Sequence, residues 1–393
     1  MLTDAEPALR LGALVRELRN REFPWTAATT YLAAAAVGPL PERTRLAVEA
    51  FNAKRTAPHL LPDRDLEAVQ AAARSAAAQL IGAAPETIAL APNTSTGLNV
   101  AAGALPLAAG DIVLLSDREF PANVYPWLGR RRSGVTVERV PVTSRGFPDE
   151  DRLVERLADP RVRVLAVSLV QFANGFRADL ARLGAACRAN GAYLVVDAIQ
   201  GLGVVPVDVG TLPVDILACG GQKWLLGPWG SGFCYVRREL LTALTPAMSG
   251  WLSYQGVDDY TRLLSYDDRL VDDARRFEIS GPATQDQLGL TTSIGLLLEL
   301  GVEAIATYLR SLGDPLLAWA ASRGVRVVSP TDEAHRSQIV CVAPRDAAEA
   351  HRRLRQAGVV VSVREGAIRV APHCYNTVEE IEKVVDVLEE VMT

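Results

Sequence analysis

Residues 191–233 read GAYLVVDAIQGLGVVPVDVGTLPVDILACGGQKWLLGPWGSGF and carry the strongest structural signals of the chain. The run YLVVD (193–197) is apolar without alternation, which is typical of a strand buried on both faces of a parallel sheet. A second apolar run (215–219) leads into a glycine-rich loop. The first run ends in Asp197, and the loop contains Lys223. The segment therefore predicts two strands whose ends carry an acid and a lysine.

Similar apolar runs alternate with helical patterns on both sides of this segment. The seven candidate strands are 87–91, 111–116, 135–141, 162–168, 193–197, 215–219 and 232–237. The helical patterns between them are 65–81, 96–104, 123–132, 149–157 and 179–190. This alternation favours an α/β domain with a mostly parallel sheet. Ligands of open α/β sheets bind at the carboxyl ends of the strands, so we expect the site there.

The pattern changes after about residue 265, which indicates a second domain. The elements expected there are helices 284–300 and 302–323, strands 325–329 and 338–343, helix 345–357, strands 359–363 and 368–371, and helix 378–391. We therefore expect a large α/β domain (31–265) and a smaller C-terminal α+β domain (266–393). The first segment (1–30) is expected to pack on the small domain.

The composition of the 393-residue chain excludes several classes of function. A net charge of −5 gives no indication of a nucleic-acid partner. No apolar run approaches the roughly 18 residues of a membrane span, and the N-terminus lacks a secretory pattern. The five cysteines have no C-x-x-C spacing and are typical of reduced thiols, so we expect a cytoplasmic protein. No metal site is expected, because the four histidines do not cluster with cysteine.

Lysine is rare in this chain, and one lysine stands apart from the others. Only three of the 41 basic residues are lysines: Lys54, Lys223 and Lys383. Lys54 and Lys383 lie in polar helical patterns and are expected at the surface, whereas Lys223 lies between glycines and apolar residues. An amine that loses its proton can attack a carbonyl, which arginine cannot do. Lys223 is therefore a candidate nucleophile; the alternative is a surface lysine with a buried stem.

Three further features follow predicted strands. Ser95 and Thr96 lie near a helix N-terminus, where they either bind a phosphate or serve as a cap. Phe120 follows strand 111–116 and either stacks on a flat ring or belongs to the core. Asp197 needs a partner, which a protonated pyridine, a helix cap or an ion pair would supply. Together with Lys223 these residues match the requirements of pyridoxal 5′-phosphate (PLP).

In the order of its motifs, the sequence resembles the class V aminotransferase group of fold-type I PLP enzymes. That group includes cysteine desulfurases, kynureninases, isopenicillin N epimerase and several C–S lyases. The segments that carry the resemblance are YLAAAAVGPLP (31–41), APNTSTGLN (91–99), DREFPANVYPW (117–127), SLVQFANGFRADL (168–180), VDAIQGLG (196–203), GGQKWLLGPWGSGF (220–233), GW (250–251), RFEISGPAT (276–284) and REGAIRVAPHCYNT (364–377). The resemblance implies a large domain with a mostly parallel seven-stranded sheet and PLP as the cofactor.

The resemblance also implies a set of site residues and a homodimer with shared active sites. The implied cofactor-binding residues are Ser95, Thr96 and Gln222 at the phosphate, Phe120 on the ring with Asn123 nearby, Asp197 at the pyridine nitrogen, Gln200 by the phenolic oxygen, Lys223 as Schiff-base lysine and proton carrier, and Trp251 at the partner subunit's phosphate. Arg369 matches the arginine that binds a substrate carboxylate, for which its planar fork is suited. The alternative for Arg369 is an ordinary surface arginine.

Some positions depart from the patterns of the group. Relatives usually have asparagine within the first motif, where this chain has only alanines (33–36). Gly281 stands where kynureninases carry an asparagine. The loop before Arg369 is short and lacks the cysteine with which one group of desulfurases forms a persulfide. Cys374 is expected to face the core, and the neighbouring His373 is expected to be structural.

We therefore expect a PLP-dependent enzyme that acts on a small amino acid, either as a class V aminotransferase or as a β-C–S lyase. Cysteine desulfurase and amino-acid epimerase are the alternatives within the family. An alternative of another class is a non-catalytic protein that binds PLP or a nucleotide. A Rossmann nucleotide site is disfavoured, since no G-x-G-x-x-G follows the first strand. No nucleic-acid or membrane partner is expected.

Overall fold

The structure is a computed structural model that describes residues 5–392, with side chains from residue 12 onwards. Its strands are β1 (Thr30–Tyr31), β2 (Ile88–Leu90), β3 (Ile112–Ser116), β4 (Thr136–Val140), β5 (Val162–Ser168), β6 (Tyr193–Asp197), β7 (Ile216–Gly220), β8 (Gly232–Val236), β9 (Arg326–Val327), β10 (Val340–Ala343), β11 (Val359–Val360), β12 (Ser362–Arg364) and β13 (Ala367–Val370). Its α-helices are α1 (Ala5–Glu22), α2 (Glu42–Arg55), α3 (Asp63–Ile81), α4 (Thr94–Ala104), α5 (Tyr125–Gly129), α6 (Glu150–Leu157), α7 (Leu180–Ala189), α8 (Arg238–Leu241), α9 (Thr284–Leu300), α10 (Val302–Arg323), α11 (Ala347–Gln356) and α12 (Val378–Met392).

The central sheet has seven strands in the order β2-β8-β7-β6-β5-β3-β4. Strand β8 runs antiparallel to both of its neighbours, and all other pairs are parallel. The predicted mostly parallel seven-stranded sheet is thus confirmed. The carboxyl ends of β3, β5, β6 and β7 lie at one edge of this sheet, and the chain segments that follow them carry the candidate site residues.

Both faces of the central sheet are buried, which explains the continuous apolar runs in its strands. Val196 and Leu217 belong to a core cluster on one face, and Val195 and Ile216 belong to a cluster on the other. Successive side chains of a strand point to opposite faces, so a strand covered on both sides needs apolar residues at every position. Helix α9 packs against α2 and α3, and α4 packs on β7 and β8.

A second sheet of four strands, in the order β12-β13-β10-β9, is antiparallel throughout. Helices α10 and α11 pack on its strands, and α12 packs against both helices. Helix α1 packs on α10, and β1 pairs in parallel with β11. These contacts agree with an α+β unit that the N-terminal segment joins, although the division of the chain at residues 30 and 265 stays a prediction.

The structure corrects three element predictions. The predicted strand 359–363 is two strands, because β11 pairs with β1 whereas β12 pairs with β13. Helix α4 begins at Thr94 and not at residue 96, since the Asn93 side chain caps it by accepting the N–H of Thr96 at 3.0 Å. The predicted helix 123–132 is reduced to α5 and a short 3-10 turn.

Among residues 5–392, no single helix is long and apolar enough to cross a membrane. Helices α9 and α10 reach the length and apolar character of a membrane span only as a pair, which is bent by 77° at its break.

Candidate active site

The loop between β7 and β8 presents Lys223 at the carboxyl edge of the sheet. Its backbone is held by the segment after β1: the N–H of Gly38 donates to the carbonyl of Gln222 at 2.9 Å. A Cβ on Gly38 would lie only 2.0 Å from the carbonyl oxygen of Lys223, so this approach requires glycine. The position of Lys223 therefore depends on a backbone contact with a distant part of the sequence.

Asp197, at the end of β6, is 2% exposed, and its Oδ1 accepts the N–H of Ile199 at 3.1 Å. Burial raises the pKa of the Asp197 carboxyl; the negative charge of Glu119 raises it further, and the positive charge of Lys223 lowers it. Burial lowers the pKa of the Lys223 amine, against the opposing effect of Asp197. The acid and the lysine thus interact in a shielded site, as their positions after neighbouring strands predicted.

An exposed aromatic ring, that of Phe120, lies beside Lys223. The Nζ atom of Lys223 lies 5.6 Å from the centroid of the Phe120 ring. Phe120 is 40% exposed, and its other ring contact is edge-to-face with Phe172 at a centroid distance of 5.1 Å. An exposed ring next to an amine and a buried acid suits a flat heteroaromatic ring better than a core position.

The start of α4 lies against the lysine loop. The N–H of Gly220 donates to Oγ1 of Thr94 at 2.9 Å. A Cβ on Gly220 would lie 2.6 Å from Oε1 of Gln222 and 3.3 Å from the backbone nitrogen of Thr94. The Gln222 side chain and the helix N-terminus therefore pack closely around Gly220, and helix N-termini favour phosphate.

Ser95 and Thr96 open towards a cavity of about 620 Å³ next to this helix start. The N–H and the hydroxyl of Thr96 both donate to Oδ1 of Asn93, so these two donors already have a partner within the protein. The lining of this cavity includes residues 246–248 and 279–283 but not Lys223. The structure thus places the two residues at the helix start, beside this cavity.

Arg369 lies in β13 and is 1% exposed. One of its terminal nitrogens, Nη1, donates to the carbonyl of Phe172 at 2.7 Å, while its buried Nε has no partner. Burial, together with the charge of Arg364, lowers the pKa of Arg369 to about 10. A buried guanidinium with a donor left free fits an incoming carboxylate, and it does not fit the alternative of a surface arginine.

Comparison with known proteins gives the family. The sequence matches the family model described as "Aminotransferase class-V" over residues 30–384. The chain belongs to the class V aminotransferase family. An uncharacterized aminotransferase, YcbU, of Bacillus subtilis is 31% identical over 80% of this chain and 81% of the relative. Isopenicillin N epimerase of Amycolatopsis lactamdurans is 31% identical over 92% of this chain and 95% of the relative.

Solved structures show the same fold. The apo cysteine desulfurase from Thermococcus onnurineus NA1 superposes with a TM-score of 0.86 at 23% identity, over 96% of this chain and 97% of that one. The cystine C–S lyase C-DES, in complex with its product cysteine persulfide, gives a TM-score of 0.84 at 24% identity, over 93% and 99% of the chains. Fold-type I and a PLP-dependent enzyme, both expected from the sequence, are confirmed.

The residues described above fit the cofactor of this class V enzyme. Lys223 would supply the amine, Asp197 a shielded carboxylate for the pyridine nitrogen, and Phe120 a ring face. Gln222 and the start of α4 supply donors for the phosphate. The fit rests on the donor set of this structure: an amine 5.6 Å from the centroid of the exposed Phe120 ring, and a buried Asp197 carboxyl on which the charge of that amine acts.

Sequence reasoning missed one residue of this enzyme's site, Glu119, which is buried directly before Phe120. Its Oε1 accepts the N–H of Ser168 at 3.0 Å and Nε2 of Gln171 at 2.6 Å, and its Oε2 accepts Nδ2 of Asn123 at 3.1 Å. Glu119 therefore ties the Phe120 segment to the end of β5. The same pattern that identified Asp197, an acid after an apolar strand, also identifies Glu119.

Asn123 is placed by Glu119 and not by contact with the lysine. It is fully buried, and its Oδ1 has no partner. Gln200 is also buried, and both atoms of its amide bond to the protein: Nε2 donates to the carbonyl of Ala35 at 3.0 Å, and Oε1 accepts Nε1 of Trp224 at 2.9 Å. Gln200 thus ties two segments to the lysine loop, and its contact with the phenolic oxygen stays a prediction.

Trp251 lies away from Lys223 within one chain. It is 45% exposed and lines a different cavity, of about 690 Å³, with Arg74, Tyr260 and Gly281. The structure brings together Lys223, Asp197, Phe120 and the start of α4, and it leaves Trp251 outside that group. The contact of Trp251 with the phosphate of a partner subunit stays a prediction.

The cysteines and His373 have structural surroundings. All five cysteines are unpaired and buried, Cys374 among them. Nδ1 of His373 accepts the N–H of Cys374 at 2.7 Å, so Nε2 carries the proton and donates to the carbonyl of Trp224 at 3.0 Å. Burial lowers the pKa of His373 to about 4, which keeps the ring neutral. His373 therefore holds the lysine loop.

Proposed function

We propose that this enzyme removes the α-proton of a small amino acid and completes either a transamination or the β-elimination of a sulfur substituent. The observation that carries the proposal is the position of Lys223, shielded between the Phe120 ring and the buried Asp197. Arg369 supports it, since its free Nε offers a carboxylate partner at the same site. The substrate should therefore carry a free carboxylate next to the amino group that reacts.

Each residue has a defined task in this reaction. Bound PLP supplies a positively charged ring that withdraws electrons from the substrate α-carbon. Asp197 keeps the proton on the ring nitrogen, because a shielded carboxylate needs a positive partner. Lys223 takes the α-proton as a neutral amine, a form that burial favours by lowering its pKa. Phe120 and Phe172 keep the ring in place and exclude water on their side.

The alternatives within the family have less support. A desulfurase that carries its own persulfide needs an accessible cysteine, but β12 and β13 are joined by Glu365 and Gly366 alone, and all five cysteines are buried. An epimerase must return the proton to the opposite face. Among the residues described at the site, Lys223 beside the Phe120 ring is the one amine, and its neighbours Arg369 and Arg364 are guanidinium groups that stay protonated. One base favours transamination or elimination.

The cofactor form after reaction tests this proposal. The PLP-loaded protein would be mixed in D₂O with single amino acids, including cysteine and cystine, without any keto acid. Pyridoxamine phosphate found by mass spectrometry supports transamination, and pyruvate with PLP retained supports β-elimination. Deuterated substrate of both configurations would instead identify an epimerase, and alanine with released sulfur a desulfurase. Either of the last two results contradicts the proposal, as does protein that cannot be loaded with PLP.

We further propose that two copies of the chain pair and share their active sites, with Trp251 of each copy reaching the other's phosphate. The support is an exposed aromatic pair, Trp251 and Tyr260, which are 45% and 51% exposed and whose ring centroids lie 6.4 Å apart. The start of α4 opens towards the neighbouring segment 279–283. Light scattering of the PLP-loaded protein should give twice the mass of one chain; the mass of a single chain would contradict the proposal.

The free, buried cysteines also support a reducing, cytoplasmic location.

A further inference from the structure

Two arginines share one face of the β12–β13 hairpin. In this antiparallel pair Ser362 lies opposite Arg369, and Arg364 lies opposite Ala367. Directly opposed residues point to the same face, and so do residues two apart on one strand, so Arg364 and Arg369 are diagonal neighbours. Such neighbours are roughly 7–8 Å apart at the backbone, which is within the mutual reach of long side chains.

Neither arginine has an acidic partner among residues 12–392. Arg369 is buried and bonds a carbonyl oxygen, and Arg364 is half-buried and donates its Nη1 to the carbonyl of Val363 at 2.8 Å. Glu365, next in sequence, is exposed and forms no ion pair with either of them. Shielded cations without a counter-ion are costly, and a bound anion removes that cost.

The charge of Arg364 also acts on the site itself. It lowers the pKa of Arg369, and it contributes to the lowered pKa of Lys223. Two guanidinium groups thus act on Lys223, whereas the proposed function assigns Asp197 to the cofactor ring. One substrate α-carboxylate satisfies Arg369 and leaves Arg364 without an anion. In the proposed function the cofactor phosphate lies at the start of α4.

We propose that the substrate is an amino acid with a second carboxylate, which Arg364 binds while Arg369 binds the α-carboxylate. This inference rests on the proposed function and adds the substrate class to it. Arg364 is then a specificity-determining residue: it distinguishes acidic amino acids from their neutral amides. The assignment rests on hairpin register, on burial and on the missing acidic partners.

The test compares amino acids that differ in the second carboxylate. Initial rates of the PLP-loaded protein would be measured with aspartate, glutamate and cystine, and with the neutral asparagine, glutamine and alanine. At least one of the diacids should have a KM about tenfold or more below that of every neutral amino acid, as expected for one hydrogen-bonded charge pair. The variant Arg364→Gln should raise that KM by a similar factor and leave the KM for the neutral amino acids unchanged.

A binding assay without turnover separates this inference from the proposed function. Succinate should bind the PLP-loaded protein more tightly than butyrate, and Arg364→Gln should remove the difference. The matched control is Arg326→Gln, since Arg326 lies in the same sheet and is exposed. Equal KM values for aspartate, glutamate, cystine and the neutral amino acids would overturn the second-carboxylate site and leave the proposed function standing. Succinate binding through Arg364 without reaction of any amino acid would overturn the proposed function alone.

Discussion

The variant Lys223→Ala should lose activity by about 10²- to 10⁴-fold, the range of a positioned general base, and should form no covalent bond to PLP. The half-buried Lys223 is the amine beside Asp197 and Phe120, and alanine leaves no group that can take a proton. The measurement is the turnover of a reactive amino acid together with the intact mass after borohydride reduction. The wild type should gain the mass of one reduced cofactor, and the variant should gain none.

The scarcity of lysine provides matched controls for this experiment. Lys54 and Lys383 are exposed on α2 and α12, so Lys54→Ala and Lys383→Ala should keep both the activity and the adduct. Because burial lowers the pKa of Lys223 from 10.5, the rate of loading with PLP should rise with pH and level off below pH 10.5. A reduced adduct on Lys54 or Lys383 in the variant, or activity that survives, would contradict the assignment.

The sequence was sufficient to predict the central sheet, because its strands are covered on both faces. Strands β5 and β6 begin and end where their continuous apolar runs begin and end. The site followed from the sheet, since residues that come after parallel strands meet at one edge. This is why Asp197 and Lys223 could be paired before any contact was known.

What the sequence could not provide were contacts between distant segments. The split of 359–363 into β11 and β12 depends on which strand each half finds as a partner, β1 or β13, and no local pattern specifies that. The amide bonds of Gln200 to Ala35 and Trp224 likewise join three separate segments. The burial of Glu119 could have been predicted, because it follows an apolar strand. Its hydrogen bonds with Ser168 and Gln171 could not, because they join segments far apart in the sequence.

The variant Asp197→Asn should lower turnover by about 10²-fold or more while it keeps PLP bound. Loss of the carboxylate charge should lower the pKa of the ring nitrogen by about two units, and each unit is about 1.4 kcal/mol, a factor of ten. The amide has nearly the same shape but no charge, so it cannot hold the proton on the ring nitrogen. The phosphate contacts at the start of α4 and the amine of Lys223 remain. Turnover and the absorbance of the lysine-bound cofactor would be measured on the same samples.

Stability separates this electrostatic effect from damage to the fold. Burial raises the pKa of Asp197, so the ionised carboxylate is a cost to the protein without cofactor, and the amide removes that cost. The cofactor-free Asp197→Asn variant should therefore melt at the same temperature as the wild type or higher. With PLP bound the order should reverse, because only the carboxylate is paired with the positive ring. Asp197→Glu, which retains a charge, should recover part of the turnover; a glutamate variant no better than asparagine would show that the position of the carboxylate matters more than its charge.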